Sequence, residues 1–402
     1  MAFLEILLSL LLGILTGIIT GITPGIHVNL VSLLVLSSSP FLLQLTSPVV
    51  LGVYIISLAI THTFLDALPS IYLGAPDEAQ ALNVLPGHRL LLKGEGHNAI
   101  TYTVIGSLGS LLLGILLFPL FIVAMKWLGA GVQSIVGYLL VLIMIFMIGR
   151  EKGKQWKALA AFLLSGSLGL LVFSIPTLKQ PLFPLLSGLF GLSLLTVSLS
   201  QKSSIPQQDF HKPLTISAKN TVKSVSAATG MGFVAAFLPG FGSSQAAIVA
   251  TNVVGDIGDE GFLSLVGGIN TANMLISIAT AYALNKSRNG AIVIVNKLLE
   301  QIGFPEMMLF IGVALVVGGL ASILTLQLSK VFATWIVRVN YQKLIVGIII
   351  FIALLAFYFD GVLGMTILLT ATAIGLVVSS WGVGKNHLMG CLIVPVILFF
   401  VL

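Results

Sequence analysis

Apolar runs follow one another along almost the whole chain, separated by short polar turns. They fall at roughly 3–22, 41–60, 99–123, 132–149, 156–174 and 181–199. A second series falls at roughly 224–238, 262–285, 305–328, 342–358, 361–380 and 386–402, most of them near the ~20 residues a hydrocarbon core requires. About residues 200–223 the pattern changes to a polar, proline-containing stretch, Gln201-Lys-Ser-Ser-Ile-Pro-Gln-Gln-Asp-Phe-His-Lys-Pro213. The pattern predicts an all-α polytopic membrane protein: a first transmembrane repeat over 1–200, a cytoplasmic linker over 201–223 and a second repeat over 224–402.

Composition excludes the soluble alternatives. Apolar residues make up 57% of the chain, charged residues 8%, and the mean hydropathy is +1.12. A soluble domain carries about 25% charged residues and could not hide this much apolar surface. The net charge of +6 belongs to loops between spans, so no nucleic-acid partner is expected. The amino-terminal run has no preceding Lys or Arg and no small-residue cleavage pattern, so it is expected to remain as a span. The single cysteine, Cys391, cannot form an intrachain disulfide and excludes a multi-cysteine metal site.

Two places break the apolar pattern in the same way. One reads Gly17-Ile-Ile-Thr-Gly-Ile-Thr-Pro24-Gly25-Ile-His27-Val-Asn29, the other Gly232-Phe-Val-Ala-Ala-Phe-Leu-Pro239-Gly240-Phe-Gly242-Ser243-Ser244-Gln245. Proline removes a backbone donor and clashes with the preceding turn, and glycine accepts conformations that other residues avoid. In a bilayer the freed backbone groups must face protein or a polar cavity. The segments that follow, about 26–37 and 241–254, are too short to span, so they read as half-helices or arms of re-entrant hairpins. A half-helix that begins just after such a break aims free amides and partial positive charge at it. Two such ends would bind a carboxylate or phosphate without a formal charge. One copy alone would be explained by a kinked, packed helix. Two copies at matching places favour a substrate site.

Pro24 and Pro239 lie 215 positions apart, as do Gly17 and Gly232. Further on, Thr61–Tyr72 lies opposite Asn270–Tyr282 at an offset near 209. The repeated order of elements predicts a duplication, and charge placement predicts that the copies are inverted. Lys and Arg in short loops stay cytoplasmic. An inverted arrangement puts fourteen basic residues inside and five outside (Lys126, Lys179, Lys286, Arg288 and Lys297). A parallel repeat would instead send Lys330, Arg338, Lys343 and Lys385 outside.

A second polar group follows each break: Thr61, His62, Thr63 and Asp66 in one copy, Asn270, Thr271 and Asn273 in the other. His62 and Asp66, four apart, share a helix face. A carboxylate at membrane depth costs at least ~2.5–3.5 kcal/mol, which points to a cavity, an ion or a partner. Thr61, His62 and Asp66 are therefore candidates for coupling to Na⁺ or H⁺; a capping role for Asp66 near the interface is the other possibility. No third ligand accompanies His62 and Asp66, so no metal site is expected. Asp77, in Gly74-Ala-Pro-Asp77-Glu78, suits a gate or an interfacial turn, as does Leu85-Pro-Gly-His88-Arg89. Arg288, in Lys286-Ser-Arg288-Asn-Gly290, suits attraction of an anion or simple anchoring. No phosphate-binding Gly-x-x-x-x-Gly-Lys-Ser/Thr loop, His-Glu-x-x-His or Gly-x-Ser-x-Gly signature is present, so no enzyme is expected. An intramembrane enzyme would need a nucleophile or metal cluster near His62 and Asp66.

These motifs together resemble the large permease subunit of tripartite tricarboxylate transporters, the TctA family, in its shorter archaeal form. The matching text is Gly21-Ile-Thr-Pro-Gly-Ile-His27-Val-Asn29, Phe64-Leu-Asp-Ala-Leu-Pro-Ser-Ile-Tyr-Leu-Gly-Ala-Pro-Asp77, Asn83-Val-Leu-Pro-Gly-His-Arg-Leu-Leu91, Leu238-Pro-Gly-Phe-Gly-Ser-Ser-Gln-Ala246 and Gly268-Ile-Asn-Thr-Ala-Asn273. The resemblance implies an inverted-repeat secondary transporter in the cell membrane, taking up di- or tricarboxylates by alternating access on an ion gradient. It also implies a solute-binding protein and a small membrane subunit as partners. The sequence is compatible with a homodimer and does not set the oligomeric state. Expected substrate contacts are Pro24, Gly25, His27, Asn29, Pro239, Gly240, Gly242, Ser243, Ser244, Gln245, Asn270, Thr271 and Asn273. Beyond Na⁺ or H⁺ no cofactor is expected. A transporter or flippase of a lipid-linked polyprenyl phosphate is the alternative, since paired breaks with small polar tips suit phosphate equally well.

Overall fold

A computed structural model of the chain describes residues 2–24, 26–75, 78–128, 136–200, 205–238, 241–287, 289–338 and 341–401. Every regular element among them is helical. The chain begins with α1 (Ala2–Ile22), α2 (Val28–Leu42), α3 (Pro48–Leu65), α4 (Val84–Leu92) and α5 (Gly96–Leu116). It continues with α6 (Phe118–Leu128), α7 (Val136–Arg150), α8 (Gln155–Phe173), α9 (Leu182–Leu186) and α10 (Ser193–Ser200). The later elements are α11 (Ala218–Phe237), α12 (Ser243–Val254), α13 (Gly258–Leu284), α14 (Gly290–Leu299), α15 (Phe304–Arg338), α16 (Tyr341–Trp381) and α17 (Gly390–Val401). A π-helical turn, Ser187–Leu192, joins α9 to α10, and another, Pro69–Leu73, follows α3.

Among the described residues, seven helical stretches are long and apolar enough to cross a membrane, starting with Phe3–Ile22 and Pro48–Leu73 and ending with Ile345–Trp381. Large apolar side chains lie exposed along them, as on α1 at Leu4, Leu8, Leu12, Leu15 and Ile19, a surface that suits lipid and not water. The protein is an all-α, multi-pass membrane protein.

Some boundaries differ from the expected spans. The run read as 41–60 is divided: its first residues end α2, and α3 starts at Pro48, where the Ser47 hydroxyl accepts from the Val50 amide (3.4 Å) and proline fits the first helical position. The runs at 342–358 and 361–380, by contrast, meet where expected: inside the stretch written as α16, the non-helical Gly361 (φ 59°, ψ −142°), a conformation open to glycine alone, separates two helices.

The residues form two compact units, and each draws on both halves of the chain. The first comprises Met1–Pro69, His97–Gly129 and Phe210–Phe332; the second comprises Ser70–Gly96, Ala130–Asp209 and Ala333–Leu402.

In the first unit α1 lies along α3, and α11 along α13. A stripe of glycines makes the first approach possible. A Cβ at Gly13, Gly17 or Gly21 would stand 2.6 Å from the Cβ of Ser57, Thr61 or Leu65 respectively. Both rows step by four, so a continuous seam of small residues meets its partner row. The second pair repeats the register: a Cβ on Gly232 would collide with that of Ala272, and one on Gly268 would meet the Ala228 Cβ at 2.7 Å. An offset of 215 takes Gly13, Gly17 and Gly21 to Ala228, Gly232 and Ala236, and an offset of 211 takes Ser57 and Thr61 to Gly268 and Ala272.

The second unit is knit by similar contacts. α8 packs on α17, where a Cβ at Gly169 would strike the Cys391 carbonyl, and the turn Ser187–Leu192 packs on α16, where Gly188 meets the Ala371 Cβ. Cys391 itself is buried. Described parts of the polar connector are held by hydrogen bonds. In the second unit the Gln208 amide donates to the Leu91 carbonyl (3.1 Å) and accepts from the Gly96 amide (2.8 Å). In the first unit the Thr215 amide donates to the Tyr102 hydroxyl (3.0 Å), and the Thr215 hydroxyl donates to Glu260 (3.0 Å). His88, buried in α4, has its imidazole pushed down to about 4 by desolvation.

Two predictions follow from this packing. Gly17→Val should destabilise the protein by about 1–3 kcal/mol through overpacking at Thr61, whereas Gly149→Ala, with open space around it, should leave the detergent-unfolding midpoint nearly unchanged. Because an unfolded His88 takes up a proton near pH 6.5 and the folded one only near 4, stability should fall as pH drops through that window. His88→Gln should flatten that part of the stability profile.

Candidate functional site

The predicted breaks are helix ends. α1 closes with the Thr23 amide donating to the Ile19 carbonyl (3.1 Å), and Pro24, in the turn that follows, has no amide to continue the ladder. α11 closes at Leu238, which is extended (φ −86°, ψ 129°), as the residue before a proline tends to be. The helices that restart, α2 and α12, have 15 and 12 residues and are ~22 and ~18 Å long, well short of a ~30 Å hydrocarbon core. Gly25, Pro239, Gly240, Asp77 and Arg288 lie outside the described residues.

The two starts differ chemically. His27 is extended (φ −90°, ψ 153°), and its Nδ1 accepts from the Asn29 amide at 3.0 Å, so an imidazole caps α2. Asn29 is exposed and lies against Gly290, where a Cβ would come within 2.5 Å of its Oδ1. α12 begins after Gly242, which has no side chain to cap with. Its first turn carries Ser243, Ser244 and Gln245, all buried, and the Gln245 Oε1 has no hydrogen-bond partner among the described residues.

α3 and α13 connect these starts. The His62 ring stands edge-on to His27 with centroids 5.3 Å apart, and its Nδ1 lies 3.1 Å from the Thr20 hydroxyl. Four residues on, Asp66 ends α3 and accepts from the Asn270 side-chain amide of α13 at 2.7 Å. Thr271 donates to Thr63 (3.2 Å), and three residues beyond Asn270 the Asn273 amide donates to the Ser243 hydroxyl (3.3 Å). The polar side chains therefore run from the start of α2 to the start of α12 by way of α3 and α13, inside one compact unit. Thr61 is placed elsewhere: it is buried in the α1–α3 seam against Gly17. Thr20 is the partner that the sequence pattern missed; its signal was the pair Thr16 and Thr20, one turn apart in an apolar helix, with Thr16 accepting from the Tyr54 hydroxyl at 3.0 Å.

Around the α12 start stand the donors of its first-turn amides, the Ser243 and Ser244 hydroxyls and the Asn273 amide, together with one acceptor, the Gln245 Oε1. The free amides of a helix start favour an anion over a cation. No group of three or more His, Cys, Asp or Glu among the described residues is arranged to hold a metal ion.

A family model described as the tripartite tricarboxylate transporter TctA family matches residues 7–390. The chain belongs to the TctA family. An uncharacterized protein of Methanocaldococcus jannaschii is 29% identical to it over 362 residues, covering 86% of this chain and 88% of that protein. No solved structure matches the chain. As a TctA-family protein the chain is a membrane transporter component, and the polar path between α2 and α12 is its candidate site.

The Asp66–Asn270 bond is expected to matter for stability. Asn270→Ala takes this donor from the buried Asp66 and should cost about 1–3 kcal/mol in detergent unfolding, while Asp66→Asn, which keeps an acceptor oxygen, should cost less.

Proposed function

We propose that this TctA-family protein is a secondary active transporter for a small anionic solute, a di- or tricarboxylate, coupled to Na⁺ or H⁺. The observation that carries the proposal is the start of α12. There the first-turn amides of α12 stand beside the Ser243 hydroxyl and the Asn273 side-chain amide (3.3 Å apart), immediately after a break in an apolar helix. The first-turn amides, Ser243, Ser244 and Asn273 would hold one carboxylate, and the start of α2, with His27 and Asn29, the other end of the solute. Thr63, Asp66, Asn270 and Thr271 would transmit coupling between the two starts.

The shared register of α1 on α3 and α11 on α13 supports a duplication. The partners Asp66–Asn270 and Thr63–Thr271 run in opposite order along their helices, in keeping with copies of inverted topology. Alternating access would then come from movement of one set of elements around a fixed site. Asp77 and Arg288 retain their proposed gate and anion-attracting roles. The cell membrane as location, a solute-binding protein and a small membrane subunit as partners, and a homodimer belong to the same proposal.

Ser243→Ala and Asn273→Ala should each lower uptake of the transported anion by at least tenfold in proteoliposomes, with the unfolding midpoint held within a few degrees. Unchanged uptake removes them from the site. A thermal-shift panel of citrate, succinate, inorganic phosphate and a short polyprenyl phosphate, with and without Na⁺, identifies the solute class, because specific binding stabilises the folded state. A shift confined to the lipid phosphate would replace carboxylate transport with lipid-phosphate transport.

A further inference from the structure

We propose that a proton taken up by the His27–His62 pair uncaps α2 and thereby makes its start receptive to an anion. The proposal rests on the transporter proposed above and assigns its coupling ion to H⁺. The geometry fixes the tautomer of His27. A backbone N–H can only donate, so the Nδ1 that receives the Asn29 amide at 3.0 Å carries a lone pair, and the neutral ring holds its proton on Nε2. Protonation adds H⁺ to Nδ1, turning that atom from acceptor into donor. The cap must then open, and the Asn29 amide becomes available to another acceptor. The same event places a positive charge at the positive end of the α2 dipole, which disfavours it unless an anion arrives to share the site. Proton and anion thus favour each other's binding, the linkage a symporter requires.

His62 supplies the second half of the device. Its ring stands edge-on to His27 at 5.3 Å, close enough for a charge on one ring to oppose a charge on the other. His62 has the Thr20 hydroxyl at its Nδ1 and Asp66 four residues along the same face. A proton resting on His62 leaves the α2 cap intact, and a proton on His27 breaks it. Asp66 is the nearest charged residue to His62 in sequence, and Lys286 lies four residues before Gly290, which faces Asn29. α1 contributes only Glu5, in its first turn, and α3 adds Tyr54 and Asp66. α14 contributes Lys297, in its last turn. α13 contributes Asp259 and Glu260, in its first turn, and Tyr282 near its end. α12 has no titratable side chain and starts at Gly242, so the second half-helix lacks the device.

Hydrogen exchange on the purified full chain, read by mass spectrometry on peptides from 28–42 and 243–254 between pH 8 and pH 5, tests this. With intrinsic rates corrected, protection at the start of α2 should fall about fivefold as the cap is lost, and protection at the start of α12 should not change. In His27→Asn the cap persists without a titrating group, so the pH response of α2 should vanish. Wild-type α2 protection that holds steady to pH 5 overturns the proposal with no variant needed, and so does a His27→Asn response equal to that of wild type. Thermal shifts with citrate, succinate and inorganic phosphate judge the anion site separately. A citrate shift without a pH response of α2 sinks only the proton device. A pH response without any anion shift supports the device and removes those three anions as solutes.

Discussion

Two long helices in lipid run this close only where at least one of them carries little bulk, because no hydrophobic force drives them together in an apolar solvent. That constraint places everything else in the first unit. Gly13, Gly17 and Gly21 bring α1 onto α3, and the Ala228–Gly232 row brings α11 onto α13, so both helices that end in a break are held rigidly up to it. A break supported in this way keeps its free backbone groups in one place. The starts of α2 and α12 acquire defined positions from packing, since neither short helix is long enough to be positioned by the membrane itself.

The polar path across α3 and α13 is the other side of the same economy. A carboxylate, two imidazoles, two asparagines and several hydroxyls are costly inside an apolar surrounding unless they satisfy one another. Here each described contact links the side chain of one helix to that of another: His62 to Thr20, Asp66 to Asn270, Thr63 to Thr271, Asn273 to Ser243.

Much of this was legible from the residues alone, and the limits have physical causes. Proline acts on its own backbone, so the ends of α1 and α11 could be read locally, and hydropathy marked the long helices for the same reason. The cap at His27 could not be read, because histidine is an uncommon capping residue and its Nδ1 contact depends on the extended backbone just before α2. Thr61 shares a helix with His62 but points into the seam with Gly17, a choice made by which helix lies alongside. The division into two units was also beyond the pattern: segments far apart in sequence are joined by contacts such as Gly169 on Cys391 and Tyr102 on Thr215. The boundary at Gly361, by contrast, was legible, because a glycine between two apolar runs acts on its own backbone and separates two helices there.

The burial of Cys391 against Gly169 has a practical side. A chain with a single thiol, sealed inside helix packing, offers a quiet background for reporter chemistry. Spin or fluorescent probes attached to engineered thiols on the lipid-facing surface would meet no accessible native competitor, so distances within each unit could be tracked in a bilayer without first rebuilding the protein.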